Sequence, residues 1–196
     1  MEPLMLKRFQ PKRNINMDEI PVLLVIASEG FQHIEYNVTR KVLTDAGFTV
    51  VTASDGFDKA VAGNGSKAHI DISLNQIRID DYQGIFFIGG PGTLDHLDNN
   101  TSYKILQQAF LQHKPIGAIC IATRILAKAG VLRDKYATGW NEDGLLDALY
   151  AENGVTYLPE EKVVVESNII TATDPSVAQQ FGEKIVELLQ SKQRWG

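Results

Sequence analysis

The chain has 196 residues and is 44% hydrophobic, enough for one substantial core, and its length suits a single domain. With 24 acidic against 19 basic residues its formal charge is −5, which gives no general attraction to nucleic-acid backbones or anionic membranes. A lone cysteine excludes an internal disulfide and no apolar run approaches the roughly 20 residues of a bilayer span, so a reducing cytoplasm is the expected location.

Residues 1–20, "MEPLMLKRFQPKRNINMDEI", carry four basic side chains and two prolines without the apolar stretch of a secretory signal. They read as an N-terminal arm, frayed unless a partner subunit ties it down. From Pro21 to about residue 191 short β-branched runs alternate with longer helical stretches, the pattern of βαβ units around a parallel sheet. Residues 192–196 form a tail.

Strands are predicted at Val22–Ala27, Thr49–Thr52, Gly84–Ile88 and Ile116–Ile119, each apolar enough to be covered on both faces. Helices are predicted at about His33–Ala46, Ser102–Gln112, Ile121–Lys128, Asp143–Glu152 and Ser176–Gln190, with Gly47 and Gly130 as terminal glycines. The segment "DGFDKAVAGNGSKAHIDISLNQ" reads as turns with a short strand near His69. Late in the chain "KVVVES" and "IITAT" flank Asn168 as a hairpin, and Phe181, Ile185, Leu188 and Leu189 form a helical core stripe.

Chemistry concentrates after three strands. In "AICIA" small residues, Ala118 and Ala122, stand two positions either side of Cys120, as a sharp strand-to-helix turn requires. A thiolate there would meet free helix N–H groups that lower its pKa; the competing reading is a buried, inert thiol. In "FFIGGPG", Gly89 and Gly90 let the backbone approach a ligand and aim N–H groups at developing negative charge, or they simply make a turn. Glu35, in "GFQHIE", falls in the first turn of a helix and by pattern alone is a solvated acid favouring the helix dipole.

In this order, "GFQHIE", "FIGGPG", "AICIA" and "VVVESNIITATDP…FGEKIVELL" resemble the ThiJ/PfpI superfamily, related to class I glutamine amidotransferase domains and including the parkinsonism-associated deglycase. The resemblance spans Pro21 to Leu189 and implies a flavodoxin-like three-layer α/β/α sandwich with a mostly parallel sheet and a late hairpin. It implies that Cys120 is the reactive cysteine, Glu35 the acid hydrogen-bonded to it, and the backbone at Gly90 and Ile121 an oxyanion-binding pair. It also implies a small-molecule substrate and a homodimer or higher homo-oligomer.

Some residues depart from the family pattern. Proposed proteases carry His directly after the cysteine, where this chain has Ile121, and deglycase-like members offer His on the next strand, where "YATGW" has Gly139. Neither a protease nor an amidotransferase triad is evident, since all four histidines precede Cys120. His33, two positions before Glu35, is off its helical face and reads as a surface or capping residue; His96 reads as solvent-facing. Gly89, Gly139 and Trp140 join Gly90 and Ile121 as substrate-site residues, with Asn141 at the mouth and core packing as the competing role for Trp140. No metal-ligand spacing appears, and no G-x-G-x-x-G follows the first strand, so no cofactor is expected.

The leading expectation is a Cys120/Glu35-dependent enzyme of hydrolase or deglycase type, acting on small reactive carbonyl or amide-like compounds. The rival is a non-catalytic redox sensor in which peroxide oxidises Cys120. A third is a folded relic acting only through its dimer surface.

Overall fold

The structure, a computed structural model, describes residues 20–193. The arm expected over 1–20 and the tail over 192–196 therefore lie outside the described residues, apart from Ile20, Lys192 and Gln193.

Strand β1 (Val22–Ile26) is apolar and buried at every position, because the sheet is covered on both faces. A short β2 (Glu29–Phe31) leads to α1 (His33–Asp45), whose N-cap Gln32 accepts a hydrogen bond from the Ile34 N–H. Gly47, at φ +91°, turns the chain out of α1 into β3 (Val50–Ser54). The polar segment that follows holds β4 (Lys59–Ala62), β5 (Lys67–His69) and β6 (Ile72–Ser73), more strand than its Gly, Asp and Asn content suggests. β4 and β5 join β2 in a three-stranded side sheet, so pairing with a distant partner overrides turn propensity.

The second half begins with β7 (Ile85–Phe87), a short α2 (Thr93–Leu97) and α3 (Asn100–Leu111). Asn99 caps α3 by accepting from the N–H groups of Thr101 and Ser102. β8 (Ile116–Ile119) runs into a single 3₁₀ turn and α4 (Thr123–Lys128), which Gly130 ends at φ +79°. Then come β9 (Tyr136–Ala137), α5 (Leu146–Glu152), β10 (Thr156–Tyr157), the hairpin β11 (Val163–Glu166) and β12 (Ile169–Ala172), and α6 (Ala178–Gln193). Phe181, Ile185 and Leu189 of α6 are buried, as the stripe predicts, with Leu188 at its edge.

The main sheet has the order β11-β12-β8-β7-β1-β3-β6, parallel except for the β11–β12 hairpin. From β1 the chain moves through α1 to β3 on one side; from β7 it moves through α3 to β8 on the other. Right-handed crossovers in opposite directions put these helices on opposite faces and complete the α/β/α sandwich. They also create a switch point between β1 and β7, where loops diverge and ligands of open sheets gather beyond the strands' carboxyl ends.

Candidate active site

The three sequence segments meet at that switch point. Cys120 follows the last residue of β8 and adopts φ +61°, a left-handed conformation that costs a non-glycine residue about 1–3 kcal/mol and persists only when surroundings impose it. The surroundings do so. Ala118 and Ala122 are completely buried, and the Cys120 carbonyl accepts the Thr123 hydroxyl at 3.0 Å. The result is a sharp elbow that leaves the side chain partly exposed on a cleft of about 440 Å³.

Glu35 reaches the same place from α1 and is fully buried. Its Oε2 accepts the Gly89 N–H at 2.8 Å, while the Gly89 carbonyl accepts the Gln32 N–H at 2.7 Å. This double clasp ties the loop after β1 to the loop after β7. The carboxyl faces the Cys120 thiol, each altering the other's titration, and Oε1 has no hydrogen bond of full geometry among the described residues. Burial raises the Glu35 pKa from 4.5 to about 8, against the lowering influence of the Gly89 N–H and Cys120.

The thiol does not match the sequence expectation. Burial pushes Cys120 upward, the Glu35 and Asp174 charges push it further, and the Ile121 N–H pulls it down. The sequence predicts that the helix N-terminus prevails; desolvation of the largely buried sulfur is stronger, because the Ile121 N–H is the one backbone donor that offsets it.

Gly90, Ile121 and Trp140 line the cleft with Cys120. Gly90 stands at φ +136°, and a Cβ there would sit 2.3 Å from the Gly30 carbonyl oxygen, so only glycine fits. Two expected members do not line it. Gly89 is one layer beneath, its N–H spent on Glu35; Gly139 packs under Thr123, where a Cβ would come within 2.2 Å of Oγ1. Asn141 instead holds the start of α5, accepting the Leu146 N–H at 2.8 Å and donating to Asp147.

His33 is off the cleft at the first position of α1. His96, expected in solvent, is partly buried: its Nδ1 lies 2.7 Å from Asp55 and 3.1 Å from the Ser28 hydroxyl. That cluster orients both acid and hydroxyl on one ring nitrogen, so no Ser–His–Asp relay exists.

Sequence reading missed Gln32, Pro91, Glu142, Asp174 and Pro175 in the lining. The signal for Asp174 was available: "DP" begins two residues beyond the end of β12, at the carboxyl edge where ligands bind. Arg124 was missed too. Almost fully buried, it donates to Asp143 at 2.6 Å and sits 5.5 Å from the Trp140 ring, fixing that wall of the cleft. Among the described residues no group of three or more His, Cys, Asp or Glu could hold a metal, and no helix is long and apolar enough to cross a membrane.

The α/β/α sandwich with its mostly parallel sheet is the fold of solved ThiJ/PfpI and DJ-1 proteins. The DJ-1/PfpI family profile matches residues 21–188, and the chain belongs to that family. An uncharacterized Methanocaldococcus jannaschii protein is 30% identical over 176 residues, covering 89% of this chain and 85% of that one. Among solved structures, a ThiJ/PfpI domain protein of Brachyspira murdochii superposes with TM-score 0.80 at 25% identity, over 87% of this chain and 96% of the other. Drosophila melanogaster DJ-1beta gives TM-score 0.77 at 26% identity, over 87% and 94%.

Proposed function

We propose that the protein is a cysteine-dependent enzyme of hydrolase or deglycase type acting on small reactive carbonyl or amide-like compounds. The observation that carries this reading is the pairing of a strained, cleft-facing Cys120 with a buried Glu35 whose pKa is raised to about 8. An acid so tuned can hold or release a proton near neutral pH. The resemblance that suggests catalysis also suggests a cytoplasmic homodimer or higher homo-oligomer, which we include in the proposal.

The pair must lose one proton to act. The carboxyl yields that proton more easily, so the reactive form is the minor one in which the remaining proton has passed from sulfur to Glu35 and sulfur carries the charge. The thiolate then adds to the electrophilic carbon, forming a C–S bond as the carbonyl π pair moves to oxygen. The N–H groups of Gly90 and Ile121, which line the cleft beside Cys120, hold that oxyanion, and Glu35 delivers its proton to it. With an amide-like substrate the intermediate instead expels the amine, protonated by Glu35, and water hydrolyses the thioester to free Cys120. This chemistry needs no histidine.

Turnover of methylglyoxal, glycated thiols and small amides by Cys120→Ser and Glu35→Gln tests the proposal. Each variant is expected to lose at least about a hundredfold in kcat/KM, the usual scale of positioned acid–base help. Variants as active as the parent would overturn it.

One observation favours a second reading. Glu35 faces the Cys120 sulfur and keeps its proton up to about pH 8, so it offers a hydrogen-bond donor to an oxygen placed on sulfur. Hydrogen peroxide, two equivalents per thiol, would convert Cys120 to a sulfinic acid with release of two waters. Rapid, selective gain of oxygen at Cys120 without turnover, seen by mass spectrometry, would support a redox sensor; slow or indiscriminate oxidation would count against it.

A further inference from the structure

The cleft has acids and no base. Glu142 and Asp174 line it, Gln32 is its neutral polar side chain, and no Lys, Arg or His lines it among the described residues. The rest of the wall is Pro91, Ile121, Trp140 and Pro175 around the elbow. Asp174 is held ionised: its carboxylate accepts from the Ser176 N–H at 2.9 Å and from the Thr173 hydroxyl at 2.7 Å, and its pKa is lowered. Its charge is felt at both Glu35 and Cys120. Two nearby cations offset this field only in part. Lys162, which acts on Asp174, is exposed and outside the lining, and Arg124 is engaged by Asp143.

Such a cleft repels an anion, and an apolar or neutral ligand covering it would desolvate the mouth acids without pairing them. A cation pairs with them. It also offsets the like charges that oppose ionisation of the thiol, the one service no lining side chain performs.

We infer that the substrate of the Cys120 centre is a small cationic molecule, an ammonium or guanidinium joined through a short apolar segment to the carbonyl or amide-like group that sulfur attacks. This rests on the reading of Cys120 as the reactive group. The positive group lies at Glu142 and Asp174, the apolar segment lies along Trp140 and Pro175, and the substrate itself promotes the thiolate that attacks it.

The test is the rate of Cys120 modification by methanethiosulfonates of three charges: trimethylammonioethyl, methyl and sulfonatoethyl. In each case sulfur forms a disulfide bond with the reagent's sulfenyl sulfur and methanesulfinate leaves. Normalised to N-acetylcysteine amide, the cationic reagent is expected to outpace the anionic one by about tenfold at low salt, as Coulomb attraction from two nearby carboxylates implies. Glu142→Gln, at an exposed position, should shrink this ratio, and adding Asp174→Asn, which keeps an acceptor for Ser176, should bring it close to the reference. A ratio equal to the reference thiol, or one unchanged in both variants, overturns the inference while leaving Cys120 reactive. Inertness toward all three reagents overturns the reading of Cys120 and this inference with it.

Discussion

Glu35 and Cys120 titrate as a unit, and their chemistry follows from which group yields the first proton. Burial raises both, but the carboxyl, at about 8, is the easier to ionise. Below that pH the pair keeps both protons and sulfur is a poor nucleophile; above it one proton is gone and the thiolate form becomes accessible. Alkylation of Cys120 by iodoacetamide should therefore rise with a midpoint near pH 8. In Glu35→Gln the thiol titrates alone in its desolvated setting, so the midpoint should move up by about one unit or more. A midpoint unmoved by the substitution would uncouple the two residues. Sequence alone identified both partners through their family motifs. It could not supply the sign of the thiol shift, because desolvation depends on what encloses the elbow.

Elements with long apolar or periodic runs were readable: β1, β8, the β11–β12 hairpin and α6 lie where the pattern puts them, with ends shifted by a few residues. The pieces that escaped, β2, β9, β10 and α2, are two to five residues long and draw their stability from partners distant in sequence. The elbow itself was foreshadowed by Ala118 and Ala122, yet its support by Thr123 was not. Thr123 fills the space above Gly139 while holding the Cys120 carbonyl. A histidine at position 139 is thus blocked. Gly139→His should cost about 2 kcal/mol by overpacking, read from the denaturant midpoint, and should lower rather than raise turnover as the elbow shifts. Adding Thr123→Ala should recover most of the stability; a fully stable single variant would show that the space is not shared.

Across the whole molecule, the acid at the switch point weakens the fold that holds it. Between pH 4.5 and about 8 the folded protein keeps a proton on Glu35 that the unfolded chain has released. Stability should consequently fall as pH rises through this window and level off above it, with about 3 kcal/mol lost by neutrality. Urea unfolding at pH 5 and pH 8 measures this difference, and Glu35→Gln should remove most of it. A parent whose stability is flat across the window would show the carboxyl to be ionised throughout. The order of the strands in the structure shows where such a costly group is tolerated: beside the ligand crevice. Which charges share the crevice emerges only in three dimensions, since Gln32 and Pro175 meet there from opposite ends of the domain.

That meeting bears on biosynthesis. The walls of the cleft are contributed by positions from Gln32 to Pro175, so a chain leaving the ribosome carries an ordinary cysteine until nearly the last helix has been translated. Whatever reactivity the thiol acquires is conferred late and all at once, and truncated products lack it.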